Sequence, residues 1–197
     1  SIDGVSSRDH ILDILYSCSS IMINLSRISE ELIIWNSEEF DFVNIPDEFT
    51  IGSSIMPQKR NPDYLELIRG KTGHSLGQLV NLATSLKGLT FTYNRDLQED
   101  RKGAMDSIEI VTQSLEVIKN LFSKISFNEE KMIDSANKSN ILATDFADYL
   151  ANKKIPYREA YKIIKDISLN LKGKYIHELS LDELRQFSKL FEKDALD

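Results

Sequence analysis

Cysteine is almost absent from this chain: Cys18 is the one thiol in 197 residues. A single thiol forms no internal disulfide framework, so a reducing, cytoplasmic setting is the default expectation. An excess of positive charge is lacking too. Lysine and arginine number 24 against 31 acidic residues, a net charge of −7, so the footprint of a nucleic-acid partner is not expected. Local basic groups, Lys153-Lys154 and the run 172–174, read as solvated helix ends. No apolar run reads as approaching the length of a membrane span and no signal-peptide pattern opens the chain, so no membrane partner is expected. The chain also lacks an initial methionine, which fits processing, a tag remnant or a piece cut from a longer polypeptide. What remains, 41 % hydrophobic and 28 % charged residues, is ordinary for a soluble protein that buries a core.

Alternating runs of Val, Ile and Thr are missing as well, so strands are not expected and the fold class reads as all-α. Ser6-Ser7-Arg8-Asp9 has the form of a capping box. Behind it Ile11, Ile14, Cys18, Ile21, Leu25, Ile28 and Leu32 recur at spacings of three and four, which predicts one apolar seam on a helix over 7–35. Cys18 lies in that seam and reads as a small core residue. Residues 36–60 carry turn signals and form a connection too long for a plain turn. Asn61-Pro62 reads as an N-cap followed by proline in the first turn of a helix over 62–86. That helix carries Gly70, Gly73 and Gly77 on one stripe, which suggests close approach of a neighbouring backbone. A third long helix is expected to follow the loop 88–100, with Ala104, Ile108, Val111, Leu115, Ile118, Phe122 and Ile125 as its seam.

Shorter helices are expected over 128–136, 142–152 and 156–171, the last closed by Gly173, and a capping box at Ser180 and Glu183 opens a final helix to about Phe191. The organisation predicted is therefore a long-helix domain over 1–126, with a functional loop at 44–61, and a small helical domain over 127–197. Three helices of this length make a poor closed bundle, so the seams imply packing against further helices, either in a symmetric homo-oligomer or from missing chain.

The chemistry concentrates in Gly52-Ser53-Ser54-Ile55-Met56-Pro57-Gln58-Lys59-Arg60-Asn61-Pro62-Asp63. Ser53, Lys59 and Asn61 can converge on a carboxylate-bearing small molecule, the lysine as a point charge and the other two as directional hydrogen-bond donors. A serine acting as a base needs a perturbed environment. The same residues also fit a solvated loop that opens a helix, with Asn61 as its cap.

This stretch resembles the signature loop of the fumarase/aspartase superfamily, and its continuation to Leu65-Glu66 is similar to that of the argininosuccinate lyase family. Leu86-Lys87-Gly88-Leu89 and Tyr93-Asn94-Arg95-Asp96-Leu97-Gln98-Glu99-Asp100 resemble the segment that follows in the same family, and lesser agreements reach the end of the chain. The resemblance implies a helical lyase that splits argininosuccinate into arginine and fumarate without cofactor or metal, as a homotetramer. It implies a catalytic serine at Ser53, which removes the succinyl Cβ proton, and succinyl-carboxylate binding at Lys59 and Asn61. Glu66 is implied as the partner of a catalytic histidine, and Tyr93, Gln98 and Arg101 as ligands of the arginine-bearing part. Two positions depart from the family: lysine is usual at Arg101 and histidine is frequent at Tyr161.

The family's threonine–histidine motif has no counterpart, because none of His10, His74 and His177 stands in that context. The expectation is thus a C-terminal portion of such a lyase, inactive alone. Adenylosuccinate or another fumarate-releasing substrate is the nearer alternative, and a non-catalytic helical oligomerisation module the more distant one.

Overall fold

A computed structural model describes residues 1–56, 58–138, 141–171 and 173–195. Pro57 of the signature stretch, Ser139 and Asn140 between two predicted helices, and Lys172 of the basic run lie outside the described residues. The chain divides into two compact units, Ser1–Asn128 and Glu129–Asp197.

In the first unit a short helix α1 (Ile2–Ser6) precedes α2 (Asp9–Trp35), α3 (Asp63–Leu86) and α4 (Asp100–Phe122). Helices α2 and α3 run antiparallel: the Ser19 hydroxyl reaches the Ser75 carbonyl at 3.3 Å, and Thr72 donates to the Met22 carbonyl at 3.1 Å. Helix α4 lies against both, its start held to the start of α2 by Arg8 and Asp100. The core is built from Met22, Leu25 and Leu32 of α2, Leu65 and Ile68 of α3, and Val111, Ile118 and Leu121 of α4. Each such side chain taken fully out of water contributes about 1.5–3 kcal/mol.

The helices follow the predicted periodicity, but the buried register differs. Helix α2 turns Leu15, Cys18, Met22, Leu25, Ser29 and Leu32 inward, while Ile14, Ile21 and Ile28 of the predicted seam are exposed. In α4, Ala104, Val111 and Ile118 are buried, whereas Ile108, Leu115 and Phe122 of the same seam are exposed. Helix α4 stops at Phe122, short of the predicted Ile125.

By length and composition α2 could cross a membrane, which corrects the sequence expectation. Its inner face nevertheless packs on α3 and α4. The glycine stripe is a second correction. A Cβ built at Gly70, Gly73 or Gly77 meets nothing within 4 Å, so no neighbouring backbone within this chain explains them. The close approach occurs instead at Gly103, where a Cβ would lie 2.7 Å from Gln78 Oε1 across the α3–α4 contact.

Capping at the start of α2 also differs. Arg8 occupies the cap position without a side-chain capping bond, and the Ser6 hydroxyl donates back to the Ile2 carbonyl of α1. After Trp35 the chain turns through Asp41, at φ 50°, a left-handed conformation that aspartate tolerates. Strands absent from the sequence reading then appear as two-residue pairs. Strand β1 (Val43–Asn44) pairs antiparallel with β4 (Ser126–Phe127), and β2 (Ile51–Gly52) with β3 (Arg60–Asn61).

The second unit comprises α5 (Glu129–Lys138), α6 (Ala143–Asn152), α7 (Tyr157–Leu169) and the five-residue α8 (Leu181–Arg185). The last is shorter than predicted: beyond Arg185 the chain turns, and Phe191 plugs the core instead of extending a helix. Gly173, at φ +87°, supplies the left-handed turn after α7. Phe146, Leu150, Ile164, Ile167, Ile176 and Leu184 complete this core. Ser180 and Glu183 form the predicted capping box, the Ser180 hydroxyl accepting from the Glu183 amide at 3.4 Å and the Glu183 carboxylate accepting from the Ser180 amide at 2.8 Å.

Candidate active site at two ends of one helix

Residues 45–56 and 58–62 are anchored to the first unit at their base. Ile45 and Phe49 are buried in the core of the first unit, and the Phe49 ring packs edge-on against Tyr64. Lys124 pairs with Glu48 at 2.9 Å and sits over the Phe49 ring, tying the loop to the end of α4. The β2–β3 ladder pairs Ile51 with Asn61 and Gly52 with Arg60, and the Ser53 amide donates to the Lys59 carbonyl at 3.3 Å.

This hairpin corrects the capping role expected of Asn61. The residue lies in β3, Pro62 takes the cap position of α3, and no side-chain cap bond is made. The Asn61 carboxamide is therefore not committed to the helix. With Lys59 and Glu66 it lines a cleft of about 770 Å³. Among the described residues no histidine lines this cleft.

Ser53 lies beside the cleft and not in its lining. Its Oγ accepts hydrogen bonds from the amides of Ile55 and Met56, both at 3.2 Å. Both are local turn bonds, from the amides two and three residues on, and they fix the direction of the hydroxyl.

The other predicted residues gather elsewhere. Tyr93, Gln98 and Arg101 line a cavity of about 370 Å³ together with Arg8, Leu97 and Asp100. The Gln98 amide donates to the Tyr93 hydroxyl at 3.2 Å. Residues Arg95–Glu99 form a tight 3-10 turn leading into α4, with Leu97 buried beneath it. Arg8 and Asp100 belong to this cavity and were not singled out by the sequence reading. Arg8 had been absorbed into a supposed capping box, and 92 residues separate it from the carboxylate it pairs with.

The two groups lie at opposite ends of α3. Lys59 and Asn61 precede its start, Glu66 lies in its first turn, and Tyr93 follows its last turn. A helix of 24 residues is about 36 Å long at a rise of about 1.5 Å per residue. One small molecule cannot touch both groups within one copy of the chain.

Comparison with known proteins gives the arrangement its context. A family described as "Lyase" matches residues 1–77, and one described as "Argininosuccinate lyase C-terminal" matches 140–197. The argininosuccinate lyase of Clostridium kluyveri is 48 % identical over 198 aligned positions, covering 100 % of this chain and 45 % of that protein. That of Sulfurihydrogenibium sp. is 49 % identical, covering 100 % of this chain and 43 % of its own length. The chain thus spans about 45 % of the length of such curated relatives. Among solved structures, EDDS lyase in complex with formate superposes with a TM-score of 0.84 at 26 % identity, over 99 % of this chain and 41 % of that one. A class II fumarase from Schistosoma mansoni shares the fold, with a TM-score of 0.76 at 19 % identity over 98 % of this chain and 38 % of its own.

Proposed function

Since this chain belongs to the argininosuccinate lyase family of the fumarase/aspartase superfamily, we propose that it is a C-terminal portion of an enzyme that eliminates arginine from argininosuccinate and releases fumarate. Ser53 Oγ, held by two backbone amides, takes the succinyl Cβ proton. The electron pair left at Cβ delocalises into the adjacent carboxylate, where Lys59 and Asn61 stabilise the added charge. The pair then forms the Cα=Cβ double bond as the Cα–N bond breaks, and the leaving guanidino nitrogen gains a proton from outside this chain. Tyr93, Gln98 and Arg101 hold the arginine-bearing part. Glu66 faces the cleft as the partner of a histidine supplied by another part of the polypeptide or another copy.

The separation of the two residue groups along α3 is the observation that carries this reading. Residues for the succinyl end and residues for the arginine end lie too far apart to serve one substrate, so each active site combines ends from different copies in an oligomer. A tetramer satisfies this. The identities of 48–49 % to argininosuccinate lyases, against 26 % to EDDS lyase, favour the guanidino substrate.

The test follows fumarate release from argininosuccinate by the full-length enzyme. Ser53→Ala lowers kcat by about a thousandfold or more while the fold persists. The 197-residue chain alone gives no turnover, because among the described residues no histidine lines its cleft. A Ser53→Ala enzyme with near wild-type turnover, or a preference for a succinyl substrate without a guanidino group, overturns the proposal.

A further inference from the structure

Leu97 and Asp100 are three residues apart, and so are Gln98 and Arg101. In a tight helical segment residues three apart share a face, so the two pairs look in different directions. Leu97 and Asp100 turn inward at 2 % and 8 % exposure and form the floor of the cavity, whereas Gln98 and Arg101 stand exposed at its rim.

The inward face is fixed by two unlike contacts. Leu97 is an apolar peg beneath the 3-10 turn. Asp100, the first residue of α4, accepts a hydrogen bond from Arg8 Nε at 2.5 Å, and Arg8 Nη1 donates to the Ser7 carbonyl at 2.8 Å. The two side chains are 18 % and 10 % exposed. The second carboxylate oxygen of Asp100, Oδ1, is buried without a hydrogen-bond partner among the described residues. A buried carboxylate with one bare oxygen stabilises a fold less well than an apolar residue of its shape would. It does, however, have a direction, which an apolar residue lacks. A leucine at this position could slide or rotate, while a charge-assisted bond to one guanidinium nitrogen sets the rotation of the segment.

We infer that Arg8 and Asp100 are a positioning pair. Their bond sets the rotation at which Gln98 and Arg101 face the cavity, and so governs recognition of the arginine-bearing end of the ligand. The inference rests on the lyase reading. It also makes the residues just before α2 part of the arginine end of the site, although they are remote from it in sequence.

The test measures binding of the two products separately to the full-length enzyme by calorimetry. Asp100→Asn keeps the shape and an acceptor for Arg8 but removes the charge. Arginine then binds about tenfold more weakly or worse, the loss expected when a charge-assisted bond is downgraded. Fumarate affinity, set at the other end of α3, stays unchanged. Equal weakening of both products shows a merely structural pair and overturns the inference, as does unchanged arginine affinity. If Asp100→Asn does not fold, Arg8→Lys takes its place under the same criteria, since lysine keeps the charge and loses the Nε geometry. Failure of the lyase reading is recognised separately, by a wild-type enzyme that binds neither product.

Discussion

The two units of this chain bury their apolar side chains in different ways. In Ser1–Asn128 each long helix hides one stripe and shows another: Ile14, Ile21 and Ile28 on α2, and Ile108, Leu115 and Phe122 on α4, are all between 38 % and 48 % exposed. In Glu129–Asp197 the short helices close around Phe191, which is fully buried and stacked on Tyr149 at 6.0 Å. The rim there is tied off by polar bonds, Tyr149 to Asp194 at 2.6 Å and Lys153 to Glu192 at 2.8 Å. The second unit closes its core on the Phe191 ring, although Ile133, Tyr161 and Leu169 stay exposed, and the first leaves whole aliphatic stripes uncovered. The first is also the unit that holds both groups of candidate site residues, so the exposed stripes and the divided site belong to one and the same unit.

The contrast is broken most directly by truncating one buried and one exposed aliphatic residue. Leu150→Ala removes a side chain with no exposure and destabilises the second unit by about 3 kcal/mol, cavity included. Ile21→Ala in the exposed stripe costs the isolated chain under about 1 kcal/mol. Urea titrations of the 197-residue chain read both. A large loss at Ile21 in a monomeric sample means that the stripe is already covered within the chain. The sharper variant of the second change is Ile21→Asp together with Leu115→Asp. It leaves the monomer folded and abolishes concentration-dependent association in light scattering.

The division of buried from exposed stripes is also where the sequence reading reached its limit. Spacings of three and four identify α2, α3 and α4 correctly, but a helix rich in isoleucine on two neighbouring stripes satisfies the same rule in two registers. Cys18, Leu25 and Leu32 belong to both, so periodicity alone cannot rank Leu15 and Met22 above Ile14 and Ile21. The chosen face is lined partly by serines, Ser29 in α2, Ser75 in α3 and Ser107 and Ser114 in α4, which a hydrophobic count skips. In the candidate site the residues of the loop and of the 93–101 segment were legible as motifs. Their grouping was not, because two-residue strands are too short to leave a pattern and the Arg8–Asp100 bond joins distant segments. The hairpin decided Asn61: ladder pairing took the residue out of the capping position that its place before proline suggested.

Those serines allow a smaller test of the first unit. The hydroxyls of Ser29, Ser75 and Ser107 are buried without a hydrogen-bond partner among the described residues. Ser107 is fully buried, so Ser107→Ala deletes an unsatisfied polar atom and leaves no space large enough to matter. The expected change is a gain of about 1 kcal/mol, seen as a higher midpoint in the same urea titration. A loss of similar size means that the hydroxyl is paired with a water or with a group outside this chain, and the core of the first unit is then more polar than its contacts suggest.

The smallest effect belongs to the rim of the second unit. Lys174, the Ser180 amide and the Ser180 hydroxyl all donate to the Glu183 carboxylate and bring its pKa down from 4.5 to about 2. A carboxyl whose pKa falls on folding adds stability above its unfolded value and loses it as pH drops through the folded one. The contribution is therefore complete above about pH 4.5 and gone near pH 2. Because the group is at the surface, salt screens it and the effect at neutral pH is modest. Glu183→Gln should lower the thermal midpoint at pH 7 by less than Ser107→Ala raises it, and the gap to wild type should narrow steadily between pH 4.5 and 2. A gap that persists unchanged at pH 2 would mean that the Ser180 hydrogen bonds, and not the carboxylate's charge, hold the start of α8 in place.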